Sequence, residues 1–304
     1  MKLKSVFSTL TLFVLLLLGG CAPADLPEKQ PDDVSALTKI VFSYSTLGNN
    51  GFDTHIVSIY PDGTEKHRIM TDASDSHMPL FSPDGKKIAF LAQKDGETEL
   101  YLADSDGSNA RRITSGIDSD ADNFVHFLWH PDSKHILLDV NHAWQILDIL
   151  TKEILPYSDW ESSPSFYPVA YSHDGSRLLY LSSSQIRVQD TDGSNDYVLV
   201  ENSWQKTSPA WSPDDQQIIF VAVKDIQEDL KGSLYIVNLD GSGLKEITDQ
   251  EFPVPIDFAW APDGKNIVFY ATPSFAKFNL ENGEITELFD TEYPDYITSI
   301  TWQP

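Results

Sequence analysis

A short pattern that recurs along the chain limits its possible folds more than any other feature. An aromatic residue is followed by a small or polar residue, then by proline, aspartate and a turn residue, with small variations. The aromatic residues of the five complete copies, called markers below, are Phe81, Trp129, Tyr171, Trp211 and Trp260. Seven residues after each marker an apolar, β-prone run begins, at Ile88, Ile136, Leu178, Ile218 and Ile267. The constant offset predicts repetition of one structural unit.

The chemistry of the pattern predicts a tight turn between two antiparallel strands. Proline presets φ at the first corner of such a turn, aspartate can bond its own backbone, and glycine accepts the positive φ that follows. Each unit continues with two more β-prone runs, as in 100–102 and 112–114, which flank a second turn at 104–109. The markers lie 40 to 49 residues apart. Four strands in a unit of this length are typical of one blade of a β-propeller.

The two ends of the repeat region complement each other. Trp302 is a sixth marker with no strand after it, and the apolar run at Ile40 has no marker before it. We therefore expect a C-terminal strand over about 296–302 to pair with an N-terminal strand that begins at Thr38, because pairing would remove two exposed sheet edges. The predicted fold is an all-β, six-bladed β-propeller over residues 37–304, closed by pairing of its N- and C-terminal strands.

Residues 1–20 are predicted to be a signal peptide. Lys2 and Lys4 precede an apolar run at 10–18, which is too short to span a bilayer. The run ends in Leu-Gly-Gly-Cys at Cys21, which resembles the bacterial lipobox and implies cleavage before Cys21 and its acylation. Two or three acyl chains suffice for stable anchoring. Residues 21–36, with three prolines, are expected to form a lipidated, flexible tether.

These signals predict a lipoprotein of the cell envelope on the extracytoplasmic side. Ala22, rather than aspartate, follows the cysteine, which implies the outer membrane facing the periplasm if the bacterium is Gram-negative. The formal net charge is −25, and such a surface repels phosphate backbones and anionic headgroups. We therefore expect no nucleic-acid partner, and membrane contact through the acyl chains alone.

The aromatic and Pro-Asp-Gly units resemble the WD-like repeats of the TolB carboxy-terminal propeller. The resemblance covers essentially all of residues 37–304 and implies the six-bladed fold, with variants such as His173 and Asp215 interpreted as drift. Related propellers precede the catalytic domain of prolyl oligopeptidases. However, the sequence contains no Gly-x-Ser-x-Gly elbow for a serine nucleophile.

Candidate binding residues are expected at one mouth of the central channel. In propellers the innermost strand of each blade precedes the marker, and the loop that enters this strand opens on one rim. The residues predicted there are His77, His126, Tyr167, Trp204, Lys206, Asp257 and Tyr296. A polar ring with aromatic walls suits a peptide end or a sugar. The alternative is a solvated rim that binds no ligand.

The sequence predicts no metal site and no cofactor, with calcium in the channel left open as an alternative. His130 and His135 are five residues apart across a predicted turn, and we interpret them as turn residues. The segments 104–109 and 190–195 resemble calcium loops, but their glycine is fourth rather than sixth. They are interpreted as hairpin turns.

Two classes of function follow from this sequence. The favoured one is a non-enzymatic binding or scaffolding module for a protein or a cell-wall ligand such as peptidoglycan or another saccharide, either alone or as a sensor or assembly factor in a larger complex. The alternative is a carbohydrate-active enzyme of lyase or hydrolase type, with or without a metal, because similar repeats occur in an oligogalacturonide lyase. Convergence of His77, His126 and Asp257 in the channel would favour the enzyme.

Overall fold

The computed structural model describes residues 38–48, 51–115, 126–140, 143–156, 167–202, 204–223, 231–248, 252–253, 257–292 and 295–304. All of them belong to one compact unit, Asp33–Pro304. The predicted signal peptide, Cys21 and the tether lie outside the described residues. The described ranges contain strands and turns but no helix, so none that is long and apolar enough to cross a membrane is present in them.

The strands are short, and most follow the alternation and apolar runs read from the sequence. In chain order they are β1 Ile40–Gly48, β2 Gly51–Ile59, β3 His67–Arg68, β4 Ser74–Phe81, β5 Lys87–Lys94, β6 Glu97–Asp104, β7 Arg111–Arg112, β8 His126–Trp129, β9 His135–Val140, β10 Ala143–Asp148, β11 Ile154–Pro156, β12 Tyr167–Tyr171, β13 Arg177–Ser182, β14 Gln185–Asp190, β15 Tyr197–Val200, β16 Gln205–Trp211, β17 Gln217–Val223, β18 Lys231–Asn238, β19 Lys245–Glu246, β20 Phe252–Pro253, β21 Asp257–Trp260, β22 Asn266–Ala271, β23 Ser274–Asn279, β24 Ile285–Asp290 and β25 Tyr296–Trp302.

The strands form six antiparallel sheets, which confirms the six-bladed propeller. Blade 1 has the order β25-β1-β2-β3, blade 2 comprises β4 to β7, and blade 3 comprises β8 to β11. Blade 4 comprises β12 to β15, blade 5 comprises β16 to β19 with β20 beside β18, and blade 6 comprises β21 to β24. In blades 2 to 6 the first strand is the inner one and ends at its marker.

The predicted ring closure is confirmed by pairing of β25 with β1. Ile40 lies opposite Trp302 in the antiparallel register. The Trp302 indole Nε1 donates to Thr38 Oγ1 over 2.8 Å. Beyond the strand end, the backbone N–H of Gln303 donates to the carbonyl oxygen of Lys39 over 2.9 Å. The C-terminal strand therefore completes blade 1 and occupies the pairing edge of β1.

The apolar core is divided among the six junctions between blades. Each of six buried clusters combines side chains of two neighbouring blades. The junction of blades 6 and 1 holds Phe42, Phe275 and Trp302, for example, and the junction of blades 2 and 3 holds Leu102 and Trp129. Burial of these side chains between sheets is the main source of stability, because each blade alone leaves its faces uncovered.

The marker turns repeat one hydrogen-bond arrangement. In blades 2, 4 and 5 a buried serine follows the marker and donates to the aspartate two residues later, over 2.6 to 2.7 Å. The same serine oxygen accepts the backbone N–H that opens the next strand, as from Lys87 to Ser82 over 3.0 Å. In these three blades the serine of the sequence pattern is therefore the acceptor that joins turn to strand.

Candidate functional site

The propeller has two different ends. In blades 2 to 6 a backbone hydrogen bond joins the second turn to the marker turn, as from Ser105 N to Lys86 O over 3.0 Å and from Ile149 N to Lys134 O over 3.0 Å. Both sets of turns therefore lie at one end, which we call the turn face. The inner strands begin at the opposite end, the loop face. The predicted binding residues belong to the loop face.

The two predicted histidines occupy different environments on this face. The Nδ1 atom of His77 lies 2.8 Å from the carbonyl oxygen of Asp75 in the same strand. His126 opens β8, and its ring lies edge-on to Trp144 at a centroid distance of 6.2 Å. Burial lowers the pKa of His126 to about 4. The His126 imidazole is therefore neutral near pH 7.

The carboxyl group of Asp257 holds the last blade against the closing strand. Its Oδ1 accepts the backbone N–H of Phe258 over 2.8 Å, and its Oδ2 accepts that of Ile300 over 3.2 Å. Burial raises the pKa of Asp257 to about 6, and the backbone hydrogen bonds oppose that rise. This carboxylate thus contributes to the junction of blades 6 and 1.

The ammonium group of Lys206 bonds to the backbone around it. The Nζ atom donates to the carbonyl oxygens of Ser184, Asn202 and Trp204 over 2.5, 3.2 and 3.1 Å. The residue is buried. Burial lowers the pKa of the Lys206 ammonium, and the nearby carboxylate of Glu201 opposes the change. All three protons of the ammonium can thus be donated within the protein.

The three predicted aromatic residues lie on different blades. The Trp204 ring packs against Tyr235 at a centroid distance of 5.0 Å, and the Tyr296 ring lies edge-on to Phe52 at 5.1 Å. Tyr167 begins β12 opposite Leu181, and its side chain lies outside the described residues.

Within the described residues, the predicted histidines and Asp257 do not form a metal-binding group of three. Among the described histidines, cysteines and carboxylates, the group of three whose ligand atoms lie within 4.8 Å of one another is His130, Asp132 and His135. His77, His126 and Asp257 form no such group in this part of the chain. The convergence that would favour the enzyme is therefore not observed for these residues.

The backbone of the inner strands is irregular at positions close to the predicted binding residues. Met78, Ser208 and Ser299 each lie three residues before a marker and have φ of 53°. Pairing of their strands with the neighbouring strand shifts register at these positions. Such bulges redirect adjacent side chains, and the sequence carries no glycine there to signal them.

A pocket on the turn face was not predicted. It has a volume of about 250 Å³ and opens where the inner strands of blades 1 to 4 end. The markers Phe81, Trp129, Tyr171 and Trp302 line it, together with Pro83, Pro131, His173 and Pro304. The aromatic residues were interpreted from the sequence as packing residues. They do pack between blades, but their ends also line this cavity.

Two marker turns are joined directly to the turn before them. Asp215, interpreted above as drift, has φ of 56° and accepts the backbone N–H groups of His173 and Asp174 over 2.9 and 3.0 Å. Ser133 accepts the backbone N–H of Asp84 over 3.0 Å. In the other marker turns the same position is Gly85, Gly175 or Gly264. The departures from glycine therefore provide hydrogen bonds between blades.

Replacing Asp215 by glycine should weaken the junction of blades 4 and 5. Glycine accepts the positive φ without strain, so the variant removes these charge-assisted hydrogen bonds, and the 2.8 Å contact between Asp215 Oδ1 and His173 Nδ1, without straining the turn. We expect Asp215→Gly to lower the free energy of unfolding by about 1–2 kcal/mol and Ser133→Gly, which loses a single neutral bond, by about 0.5–1 kcal/mol. Urea titration monitored by tryptophan fluorescence measures both. An Asp215→Gly protein as stable as the unchanged chain would contradict this assignment.

Comparisons with known proteins agree on the fold and differ in activity. No protein-family model matches the chain. The crystal structure of TolB from Acinetobacter baumannii superposes with a TM-score of 0.68 at 17% identity, covering 89% of this chain and 67% of that one. An uncharacterized peptidase of Bacillus subtilis, YuxL, is 26% identical over 153 residues, 47% of this chain and 21% of the peptidase.

A third similar protein is, like YuxL, an enzyme by name. The oligogalacturonide lyase of Pectobacterium atrosepticum is 21% identical over 267 residues, which cover 76% of this chain and 64% of the lyase. The chain thus spans less than two thirds of the length of both curated relatives. These likenesses concern the propeller, and fold alone does not determine activity.

Proposed function

We propose that this chain, a TolB-like six-bladed β-propeller, is a non-catalytic binding or scaffolding protein of the cell envelope. Acyl chains on Cys21 hold it at the membrane, and it engages a protein or a cell-wall ligand through one mouth of its central channel. The observation that supports this most strongly is the pocket on the turn face, which is lined by residues from four blades.

The pocket suits a side chain or a peptide end. Its volume of about 250 Å³ lies below the range of ~300–1,000 Å³ that is usual for small-molecule sites. Its walls are aromatic rings and prolines, with His173 and Ser172 as polar neighbours. Rigid aromatic pockets of this kind are where the strongest contacts of protein interfaces concentrate. A partner would therefore insert an apolar or proline-containing segment here.

The contacts of the polar residues on the loop face argue against the enzyme alternative. Lys206 and Asp257 direct their charged groups to backbone atoms within the propeller, and His77 lies against the carbonyl oxygen of Asp75. A general acid or base must reach the reacting group of a substrate. The lyase or hydrolase alternative would need these groups to converge, and they lie in separate contacts.

The partner and the surface can be tested together by photocrosslinking in cells. A photoreactive phenylalanine analogue is placed at Pro83 or Pro304, exposed positions of the pocket, and for comparison at Lys245, which is exposed on the outer strand β19. We expect a discrete adduct with an envelope protein or with peptidoglycan from the first two positions and none from the third. Adducts of equal yield at Lys245, or no adduct at either pocket position, would overturn the proposal.

A further inference from the structure

We propose that the marker turn of blade 3 binds one divalent transition-metal ion of the Zn²⁺ class through His130, Asp132 and His135. The His135 Nδ1 atom lies 2.6 Å from Asp132 Oδ2, and the His130 Nδ1 atom lies 3.1 Å from Asp132 Oδ1. All three potential ligand atoms fall within 4.8 Å of one another. This site does not depend on the binding function proposed above.

The spacing of the three side chains is close to that of a coordination sphere. Zinc–nitrogen and zinc–oxygen bonds are about 2.0–2.2 Å long, so two ligands of a tetrahedral ion lie about 3.3–3.6 Å apart. The carboxylate already stands between the two imidazoles at slightly shorter distances. Small rotations of the side chains, without movement of the turn, would direct all three toward one point.

The surroundings fit a metal site that is reached from solvent. The side chains of His130, Asp132 and His135 are 34%, 35% and 32% exposed, which leaves room for water as a fourth ligand. The Asp148 Oδ2 atom lies 3.6 Å from His135 Nε2. A carboxylate on the far nitrogen of a ligating histidine orients the ring and favours the tautomer that leaves the other nitrogen free. Tyr171 packs edge-on against His130, with ring centroids 5.6 Å apart.

The marker turn of blade 3 differs in sequence from the equivalent turns of the other blades. The residues one and six positions after the marker are His130 and His135 in blade 3. In the other complete marker turns the corresponding pairs are Ser82 and Lys87, Ser172 and Arg177, Ser212 and Gln217, and Ala261 and Asn266. Among these five turns, imidazoles occupy both positions in blade 3 alone. The blade architecture therefore does not require them.

The donor set selects the class of ion. Calcium and magnesium prefer ligands that are all oxygen, whereas imidazole nitrogen with a carboxylate suits Zn²⁺, Ni²⁺, Cu²⁺ or Co²⁺. The net charge of −25 also favours cations near the surface. From the sequence alone, His130 and His135 were interpreted as turn residues. The fold brings Asp132 of the same turn between them.

The test is titration of the purified, tag-free full chain in detergent with ZnCl₂ by isothermal calorimetry. The variant is His130→Ser with His135→Gln, which gives blade 3 the residues that blade 5 carries at Ser212 and Gln217 and so preserves a turn that folds. We expect one Zn²⁺ per unchanged chain and at least a 100-fold loss of affinity in the double variant. Circular dichroism and thermal unfolding check that the variant is folded.

Two further measurements test whether the ion is bound by the three side chains of this turn. His67 also lies 2.9 Å from a carboxylate, that of Glu65, but belongs to no three-ligand group among the described residues. We expect His67→Gln to change Zn²⁺ affinity less than twofold. Co²⁺ should give visible absorption bands with the unchanged chain and lose them with the double variant. No Zn²⁺ uptake by the unchanged chain, or equal uptake by the double variant, would overturn the proposal.

Discussion

Replacing Trp302 by alanine should destabilise the propeller by more than replacing Asp215 or Ser133 by glycine. The side chain is 6% exposed and packs in the junction of blades 6 and 1. Removing a buried tryptophan side chain costs about 3–5 kcal/mol. The same change removes the indole hydrogen bond to Thr38. Because this junction is the one that closes the ring, we expect the loss to appear in global unfolding rather than in local fraying.

The matched control is Thr38→Val, which removes the hydrogen-bond acceptor and leaves the tryptophan ring in place. We expect this substitution to lower the free energy of unfolding by about 1 kcal/mol. Denaturant titration monitored by far-UV circular dichroism gives both free energies of unfolding. If Trp302→Ala lost no more stability than Thr38→Val, packing of β25 would not be what stabilises the closed ring.

Lowering the pH should change the stability of the propeller in opposite directions through His126 and Asp257. The pKa of His126 is about 4 in the fold and ~6.5 in an unfolded chain. The unfolded chain therefore binds this proton first, and the stability associated with the neutral imidazole is lost as the pH falls from 6.5 through 4. The pKa of Asp257 is about 6 in the fold and ~3.9 unfolded. The stability contributed by Asp257 is therefore fully present below pH 4 and is lost as the pH rises through 6.

Separate substitutions should expose the two opposing effects. When the pH falls from 7 to 5, His126 lowers the free energy of unfolding by about 2 kcal/mol and Asp257 raises it by about 1 kcal/mol, so the two effects partly cancel. We expect His126→Phe, which keeps an aromatic ring beside Trp144, to gain stability relative to the unchanged chain as the pH falls. Asp257→Asn should lose stability relative to it over the same range.

The measurement is the free energy of unfolding at several pH values between 5 and 7.5 for the unchanged chain and both variants. Identical pH slopes for His126→Phe and the unchanged chain would show that His126 is not protected from protonation in the folded state.

The fold was predictable because its determinants are local and repeated. The offset of seven residues between Trp129 and Ile136, and its equivalents, reports the length of one turn and the start of the next strand. Trp302 is a marker with no strand after it, and the strand at Ile40 has no marker before it. The two could be matched because a closed ring leaves no unpaired strand edge. Both inferences needed only the spacing of residues along the chain.

The candidate site was less predictable because it depends on the orientation of side chains in the folded ring. Bulges at positions such as Met78 and Ser299 occur in residues that do not signal a positive φ. Lys206 reaches three carbonyls that are 2, 4 and 22 residues away in sequence, which no spacing rule anticipates. The turn-face pocket is lined by residues of four blades, so it is a property of the assembled ring rather than of any one repeat.

We expect the turn face, rather than the loop face, to contact a partner in the envelope. Cys21 is the single cysteine of the chain, and acylation would block it, so an introduced thiol can be labelled selectively. Pro83→Cys reports on the turn-face pocket, and Asp95→Cys reports on an exposed hairpin of the loop face. The measurement compares maleimide labelling rates in isolated envelopes with those of the purified chain. We predict at least fivefold slower labelling in envelopes for Pro83→Cys and an unchanged rate for Asp95→Cys. Slower labelling of Asp95→Cys with an unchanged rate for Pro83→Cys would contradict the account.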